Sequence, residues 1–395
     1  MKFEDLTPCW NSATIETHMP RWDIFCTVVD NFGDIGVCWR LAQQLADEHS
    51  ADVRLWVDNL ERFACLCPSV KTDANAQQVG AVDVRRWDAD FAAVEATDVA
   101  DVVIEAFACE IPAPYIAAMK QRSVPPVWIN LEYLSAEEWV EGCHLLKSPQ
   151  SGSRLAKRFF FPGFTAGTGG LLRERGLLAA RAAFDAAATA SFWKSLNLPA
   201  SITGELRISL FCYENPALPE LLQCWTEGPG AIRLLVTPGA AARQTADWFG
   251  DASHDDWPLS RGTLTVHALP FLSQPRYDRL LWACDVNFVR GEDSFVRAQW
   301  AQRPFVWQIY PQAADAHLVK LQAFLQRYLG DSPNPEPVRN CWRAWNCTGA
   351  ISMRTAWREY AALRQVIEQH GKVWAGQLDQ TTDLANNLAR FVRES

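Results

Sequence analysis

The chain is short of the features that mark several large protein classes. Its 12 Cys include no C-x-x-C pair, Cys65 and Cys67 being the closest, and neither has a His at metal-ligand spacing. That excludes a zinc ribbon or a disulfide framework and leaves reduced, mostly buried thiols. No run of eighteen apolar residues occurs, and the N-terminus does not have the basic-then-apolar order of a signal peptide. A membrane span and a secretory route are therefore not expected, and the expected location is the cytoplasm. Positive charge is also scarce, with a formal net charge of −9 and an isoelectric point near 5.4, which argues against a nucleic-acid binder and allows a protein partner. None of the seven His sits with a Ser or Cys in a triad setting, so His144 and His317 read as structural. G-x-G-x-x-G is missing from the first glycine loop, which weakens a nicotinamide-binding reading.

What is present is enough chain and apolar surface for two cores. The protein has 395 residues, 49% hydrophobic and 21% charged, and one core usually stops growing below that length. Its eighteen Trp suit cores first and sugar- or base-binding surfaces second. Residues 1–20 are polar and aperiodic, a leader expected to be disordered.

From Arg21 the chain alternates apolar strands with helical segments. Ile24–Val29, Asp52–Val57, Val82–Arg86, Asp101–Phe107 and Val127–Asn130 read as strands, and the nearly continuous apolar run at 101–107 is what a strand covered on both faces requires. A loop at Phe164–Gly170 and an Ala-rich helix at Leu177–Leu196 separate this set from a second one. The second comprises Leu206–Tyr213, Ile232–Thr237, Leu264–Leu269, Asp285–Arg290 and Phe305–Ile309. The tail from Ala314 reads as three or four helices. The fold class is α/β, two doubly wound sheets, and such sheets receive ligands at the carboxyl ends of their strands.

Three strand-to-helix loops carry candidate chemistry. The first, Asp30-Asn31-Phe32-Gly33-Asp34-Ile35-Gly36, holds two acids and no cation, so it suits a positive or proton-bearing group better than a phosphate. A single Asp there would pass as a helix cap, but two in five residues ask for another explanation. The second, Arg290-Gly291-Glu292-Asp293-Ser294, opens a helix whose N–H groups can hold a diphosphate, with Arg290 as counter-charge and Ser294 as a further donor. In the third, His267–Gln274, Phe271 can stack on a base and Gln274 can hydrogen-bond to a base or phosphate. Phe211, Tyr213 and Glu214 end a strand facing the same cleft, as do Glu132 and Tyr133 in the first half.

Four stretches, IFCTVVDNFGDIGVCWRLAQQL, DVVIEAFACEIP, WINLEYLSAEEWVEGCHLLKSPQ and FVRGEDSFVRAQWAQRPFVWQIYPQ, resemble the EarP family, the protein-arginine rhamnosyltransferases of bacterial elongation factor P. The resemblance covers nearly the whole chain from Arg21. It implies a GT-B glycosyltransferase that moves L-rhamnose from dTDP-β-L-rhamnose to an arginine of elongation factor P with inversion, without metal or other cofactor, nucleic acid or membrane. It further implies an acceptor-binding Rossmann-like domain at 21–175 and a nucleotide-sugar domain at 176–375. A final helix within 376–395 would return to the first domain. By the same resemblance Asp34, Asp30 and Glu292 are catalytic, and Asp30, Asp34 and Glu132 bind the acceptor. Asn31, Phe32, Gly33, Phe211, Tyr213, Phe271, Gln274, Arg290, Glu292, Asp293 and Ser294 would bind the donor. Two carboxylates on one guanidinium can orient a nitrogen and accept its proton; Asp34 is the expected base and Asp30 its orienting partner, although the sequence does not separate them. The rival readings are another GT-B enzyme or epimerase with a small-molecule acceptor, and a two-domain binding protein without catalysis.

Overall fold

The computed structural model describes residues 20–30, 32–88, 90–250, 256–312 and 315–395. The expected disordered leader and Asn31 lie outside the described residues, apart from Pro20. The first sheet is built from β1 (Arg21–Cys26), β2 (Asp52–Val57), β3 (Ala76–Val79), β4 (Val82–Arg86), β5 (Val102–Ala106), β6 (Val127–Leu131), β7 (Lys147–Pro149) and β8 (Ala156–Phe160). Their order in space is β3-β4-β2-β1-β5-β6-β8-β7. The second sheet contains β9 (Leu206–Leu210), β10 (Ile232–Val236), β11 (Leu259–Arg261), β12 (Leu264–Ala268), β13 (Val286–Arg290) and β14 (Phe305–Gln308), ordered β11-β12-β10-β9-β13-β14.

Both sheets are parallel through their centres, where every residue of β5, β10 and β13 is buried. Antiparallel edge strands flank them: β3 on β4, β7 on β8 and β11 on β12. Sequence reading did not place β3, β7 or β11. Each is a strand of three or four residues with at most one buried side chain, so no apolar alternation announces it.

Strand order reverses beside β1 in the first sheet and beside β9 in the second, since β1 lies between β2 and β5 and β9 between β10 and β13. A crevice opens at the carboxyl end of such a switch point. The loops after β1, β9 and β13 are the ones bearing Asp30 and Asp34, Phe211 and Tyr213, and Arg290 to Ser294.

The helix Gly33–His49 is buried over most of its first three turns, including Arg40 and Gln44. It has to be, because it is covered by the first sheet and by the second half of the molecule at once. Arg40 donates to Asp278 at 3.0 and 3.2 Å, to Asp293 at 2.7 Å and to Glu174 at 3.4 Å. Arg297 donates to Asp278 at 2.7 and 3.0 Å and to Glu174 at 2.6 Å. Two guanidiniums and three carboxylates thus tie the halves together behind the cleft, and with both partners present the desolvated charges are compensated.

The Ala-rich segment forms two helices, Leu177–Ala183 and Ala186–Ser195. Asp185 breaks it by capping the second through the N–H of Ala188 at 2.8 Å. The described residues of the tail form five helices where three or four were expected: Ala316–Leu329, Pro335–Trp345, Met353–Ala362, Arg364–Asp379 and Leu384–Glu394. Caps at Ser352 and Asp383 create the extra starts. Helix Arg364–Asp379 contributes Ile367, Trp374 and Leu378 to the core of the second sheet, whereas Leu384–Glu394 returns to the first, adding Leu384, Ala385 and Leu388. Among the described tryptophans only Trp139 is exposed, so the Trp surplus is core material, as Trp225, Trp342 and Trp345 illustrate at 0% exposure. Among the described residues no helix is long and apolar enough to cross a membrane.

Candidate active site

Asp34 lies in the first turn of helix Gly33–His49, but it does not cap that helix. The preceding Phe32 provides no side-chain cap, and the Asp34 carboxylate reaches backwards. Its Oδ2 accepts the N–H of Val29 at 2.8 Å and of Asp30 at 2.7 Å. Oδ2 is thereby occupied, while Oδ1 has the Tyr133 hydroxyl at 3.3 Å. Burial raises the Asp34 carboxyl above the usual carboxylate range, and its two backbone hydrogen bonds oppose that rise. A more basic carboxylate with one oxygen available is suited to accepting a proton.

Asp30 crosses the cleft. Its Oδ1 receives a hydrogen bond from Arg290 Nη1 at 3.0 Å and its Oδ2 one from the Tyr213 hydroxyl at 2.5 Å. The guanidinium held by Asp30 in this structure is therefore the protein's own. Arg290 is 7% exposed and lies over the rings of Phe211 at 4.4 Å and Tyr213 at 4.2 Å. Among the described residues its Nε has no hydrogen-bond partner. Room for this contact depends on two glycines: a Cβ on Gly33 would lie 2.6 Å from Asp30 Oδ2, and one on Gly291, where φ is +61°, 2.7 Å from the same atom. Gly291→Ala should cost about 1–2 kcal/mol from the left-handed backbone alone, and the methyl must also push the Asp30 carboxylate aside. Thermal melting and turnover should both show the loss.

Glu292 accepts the N–H of Leu134 at 2.9 Å across the cleft. Burial pushes its carboxyl up to about 8, with Asp34 and Asp293 adding to the rise. Asp293 is committed to the interface, Oδ1 to Arg40 at 2.7 Å and Oδ2 to the Gln274 amide at 3.2 Å. Gln274 also donates to the carbonyl of Gly36 at 2.8 Å. A Cβ on Gly36 would come within 3.3 Å of that amide nitrogen, so the second glycine of the acidic loop serves the approach of the two halves. Ser294 is folded onto Arg290, accepting its N–H at 3.0 Å and donating to its carbonyl.

Two cavities meet at Asp30 and Gly33. One, of about 70 Å³, is walled by Phe211, Thr237, Pro238, Phe271, Gln274 and Arg290. Phe271 is 46% exposed and meets Phe32 edge-on at 5.3 Å from the opposite half. Among the described residues the buried Oε1 of Gln274 has no partner, so together with Arg290 Nε it presents an acceptor and a donor unmet by them beside aromatic faces. The other cavity, of about 240 Å³, has Asp30, Asp34, Phe107, Tyr133, Glu292 and Lys320 among its walls. A small aromatic-walled pocket next to a larger acid-lined one is an arrangement for a base-bearing ligand and a cationic one.

Several expected residues are engaged elsewhere. Glu214 pairs with Arg243 at the surface. Glu132 accepts from the Asn130 amide at 2.5 Å and does not line either cavity. His144 accepts the N–H of Phe161 at 3.1 Å and is held down to about 4 by burial; His317 accepts that of Gln312 at 3.1 Å. Sequence reading gave no role to Phe107, Lys320 or Arg40. Only Phe107 carried a signal, as the aromatic that ends a buried strand. Among the described residues no cluster of three His, Cys, Asp or Glu is arranged to hold a metal.

Residues 22–393 match the family model described as Elongation-Factor P (EF-P) rhamnosyltransferase EarP. A protein-arginine rhamnosyltransferase of Pseudomonas putida is 49% identical over 380 residues, covering 95% of this chain and 99% of that one. Its counterpart in Pseudomonas aeruginosa is 48% identical over 378 residues, covering 94% and 99%. A solved structure described by the words "Structural basis for EarP-mediated arginine glycosylation of translation elongation factor EF-P" superposes with a TM-score of 0.68 at 36% identity, over 95% of this chain and 99% of that one. A glycosyltransferase from Rickettsia africae shares the fold alone, with a TM-score of 0.52 at 6% identity over 95% and 98% of the two chains. The two facing sheets form a GT-B glycosyltransferase fold, and the chain belongs to the EarP family of elongation factor P rhamnosyltransferases.

Proposed function

We propose that this protein transfers L-rhamnose from dTDP-β-L-rhamnose to an arginine side chain of translation elongation factor P, with inversion at the anomeric carbon. The observation that carries this reading is the Asp34 carboxylate, which lines the acidic cavity and has Oδ2 tied to two backbone N–H groups and Oδ1 to the Tyr133 hydroxyl. That cavity adjoins the aromatic pocket of Arg290 and Phe271.

In this reading the segment 21–175 receives the protein acceptor and 176–375 the nucleotide sugar. The base of the donor lies against Phe271 and Phe211. Its diphosphate meets Arg290 and the N-terminus of helix Asp293–Trp300, which neutralise the leaving group without a metal. One guanidinium nitrogen attacks the anomeric carbon as the bond from that carbon to the diphosphate oxygen breaks. The bonding pair leaves with dTDP, and the proton displaced from nitrogen passes to Asp34 Oδ1. The product remains a guanidinium. A guanidinium is a poor nucleophile because its pKa lies above ~12, and carboxylates around it localise its electrons and take the proton. Glu292, whose carboxyl burial pushes up to about 8, is placed to donate to the sugar. The reaction would run in the cytoplasm, where a translation factor works.

The test is intact-mass measurement of elongation factor P after incubation with the enzyme and dTDP-β-L-rhamnose. A gain of one deoxyhexose on a single arginine, dependent on the nucleotide sugar, is the expected result. No gain, or transfer only to small molecules, would remove the proposal.

A further inference from the structure

The larger cavity has an aromatic wall as well as acids, and that wall is held in place at a conformational cost. Tyr133, just beyond β6, stacks on Phe107, just beyond β5, with ring centroids 4.4 Å apart and planes within 16°. Phe107 and the next residue, Ala108, both have left-handed backbones, with φ of +57° and +54°. Side chains with a Cβ enter that region only when their surroundings compel it. Here the compulsion is visible: the N–H of Phe107 donates to the Leu131 carbonyl at 2.7 Å, and that of Ala108 to the Asn130 side chain at 3.2 Å. Both partners belong to β6. The loop after β5 is thus fastened to the strand that delivers Tyr133, and the strain is spent on setting one ring upon the other.

The Tyr133 hydroxyl points at the acid chemistry. It donates to Asp34 Oδ1 at 3.3 Å, whereas the N–H groups of Val29 and Asp30 both go to Oδ2. Burial and the surrounding charges of Asp34, Glu292 and Asp30 raise the phenol, so it stays a donor. The ring also has a cation near it already, Lys320 Nζ at 5.9 Å from the centroid.

We propose that Tyr133, backed by Phe107, is a positioning residue for the acceptor: its hydroxyl fixes Asp34 with Oδ1 facing the cavity, and its ring guides a planar cationic side chain to that oxygen. This rests on the reading of the acceptor as an arginine. The two functions separate chemically. The hydroxyl acts on Asp34 and hence on turnover; the stacked rings act on acceptor binding.

Three variants test it on the full chain, with elongation factor P and dTDP-β-L-rhamnose as substrates. Tyr133→Phe keeps the stack and removes the hydrogen bond to the carboxylate, so kcat should fall about tenfold while both KM values stay near those of the parent. That bond favours ionised Asp34, so losing it raises the carboxyl, and the acidic limb of the kcat profile should move to higher pH. The other groups facing Asp34 are unchanged in this variant: Asp30 on its own loop, Cys26 at the end of β1, Cys38 on the helix and Glu292 from across the cleft. Tyr133→Leu and Phe107→Leu each break the stacked pair and should raise the acceptor KM about tenfold or more, with the donor KM unaltered. Should either Leu variant fold poorly, Tyr133→Phe still decides the hydroxyl's role. Parental kcat and an unmoved acidic limb in Tyr133→Phe would overturn the proposal, as would a rise in donor KM in place of acceptor KM. A parent enzyme that modifies no arginine at all would instead overturn the reading on which it rests.

Discussion

Asp34→Asn should lower sugar transfer by about 10²–10⁴-fold in kcat, the range for removing a positioned general base, while calorimetry finds dTDP-β-L-rhamnose affinity little changed. The separation follows from where the two groups of contacts lie. Asp34 borders the acidic cavity and has no place in the walls of the aromatic one. The substitution is close to isosteric, but an amide oxygen cannot take up a proton at neutral pH. If the Asn oxygen takes the place of Oδ2, the N–H groups of Val29 and Asp30 keep their acceptor, so melting should shift only slightly. Because burial raises the Asp34 carboxyl, the parent enzyme should lose activity on acidification at a pH above the ordinary carboxylate range. Turnover of Asp34→Asn at the parental rate would exclude it as the base.

Arg290→Gln should produce the largest loss of donor affinity, about 10–100-fold, as expected for a charge-assisted contact to a diphosphate. It should also destabilise the protein itself. Asp30 is 8% exposed, and its ion pair with Arg290 is its compensation; removing one partner of such a pair costs about 3–5 kcal/mol. The two effects come apart in the double variant Asp30→Asn/Arg290→Gln. Chemical denaturation should recover most of the lost stability there, since no unpaired carboxylate remains, whereas dTDP affinity should stay low. Recovery of affinity in the double variant would mean that Arg290 serves Asp30 and not the donor. The same contact bears on the order of binding. A diphosphate competing for Arg290 would loosen its hold on Asp30, and an incoming guanidinium would then find that carboxylate available, so dTDP should increase the affinity for the acceptor protein.

The alternation of apolar runs with helical periodicity was enough to read two doubly wound sheets, and strands such as β5 and β13 were legible because burial on both faces demands unbroken apolar sequence. The acidic glycine loop after β1 was legible for a related reason. Its glycines and carboxylates lie within seven residues, and their spacing already rules out a simple phosphate cradle. The edge strands β3, β7 and β11 and the division of the Ala-rich helix at Asp185 left weaker traces, since short half-exposed segments satisfy many local patterns equally well.

What the sequence by itself determined, then, was the pair of sheets, the strand ends that bear the site, and the excess of acid on one side of it. Tertiary structure alone decided that Asp30 holds Arg290, 260 positions away, that Asp293 is bound to Arg40, and that Asp34 turns back to its own loop and to Tyr133 in place of capping a helix. The physical reason is range. Periodicity and turn chemistry act over a few residues and are written locally. The partner of a buried charge is chosen by which chain segments the closed fold brings within about 3 Å, and no local pattern records that distance.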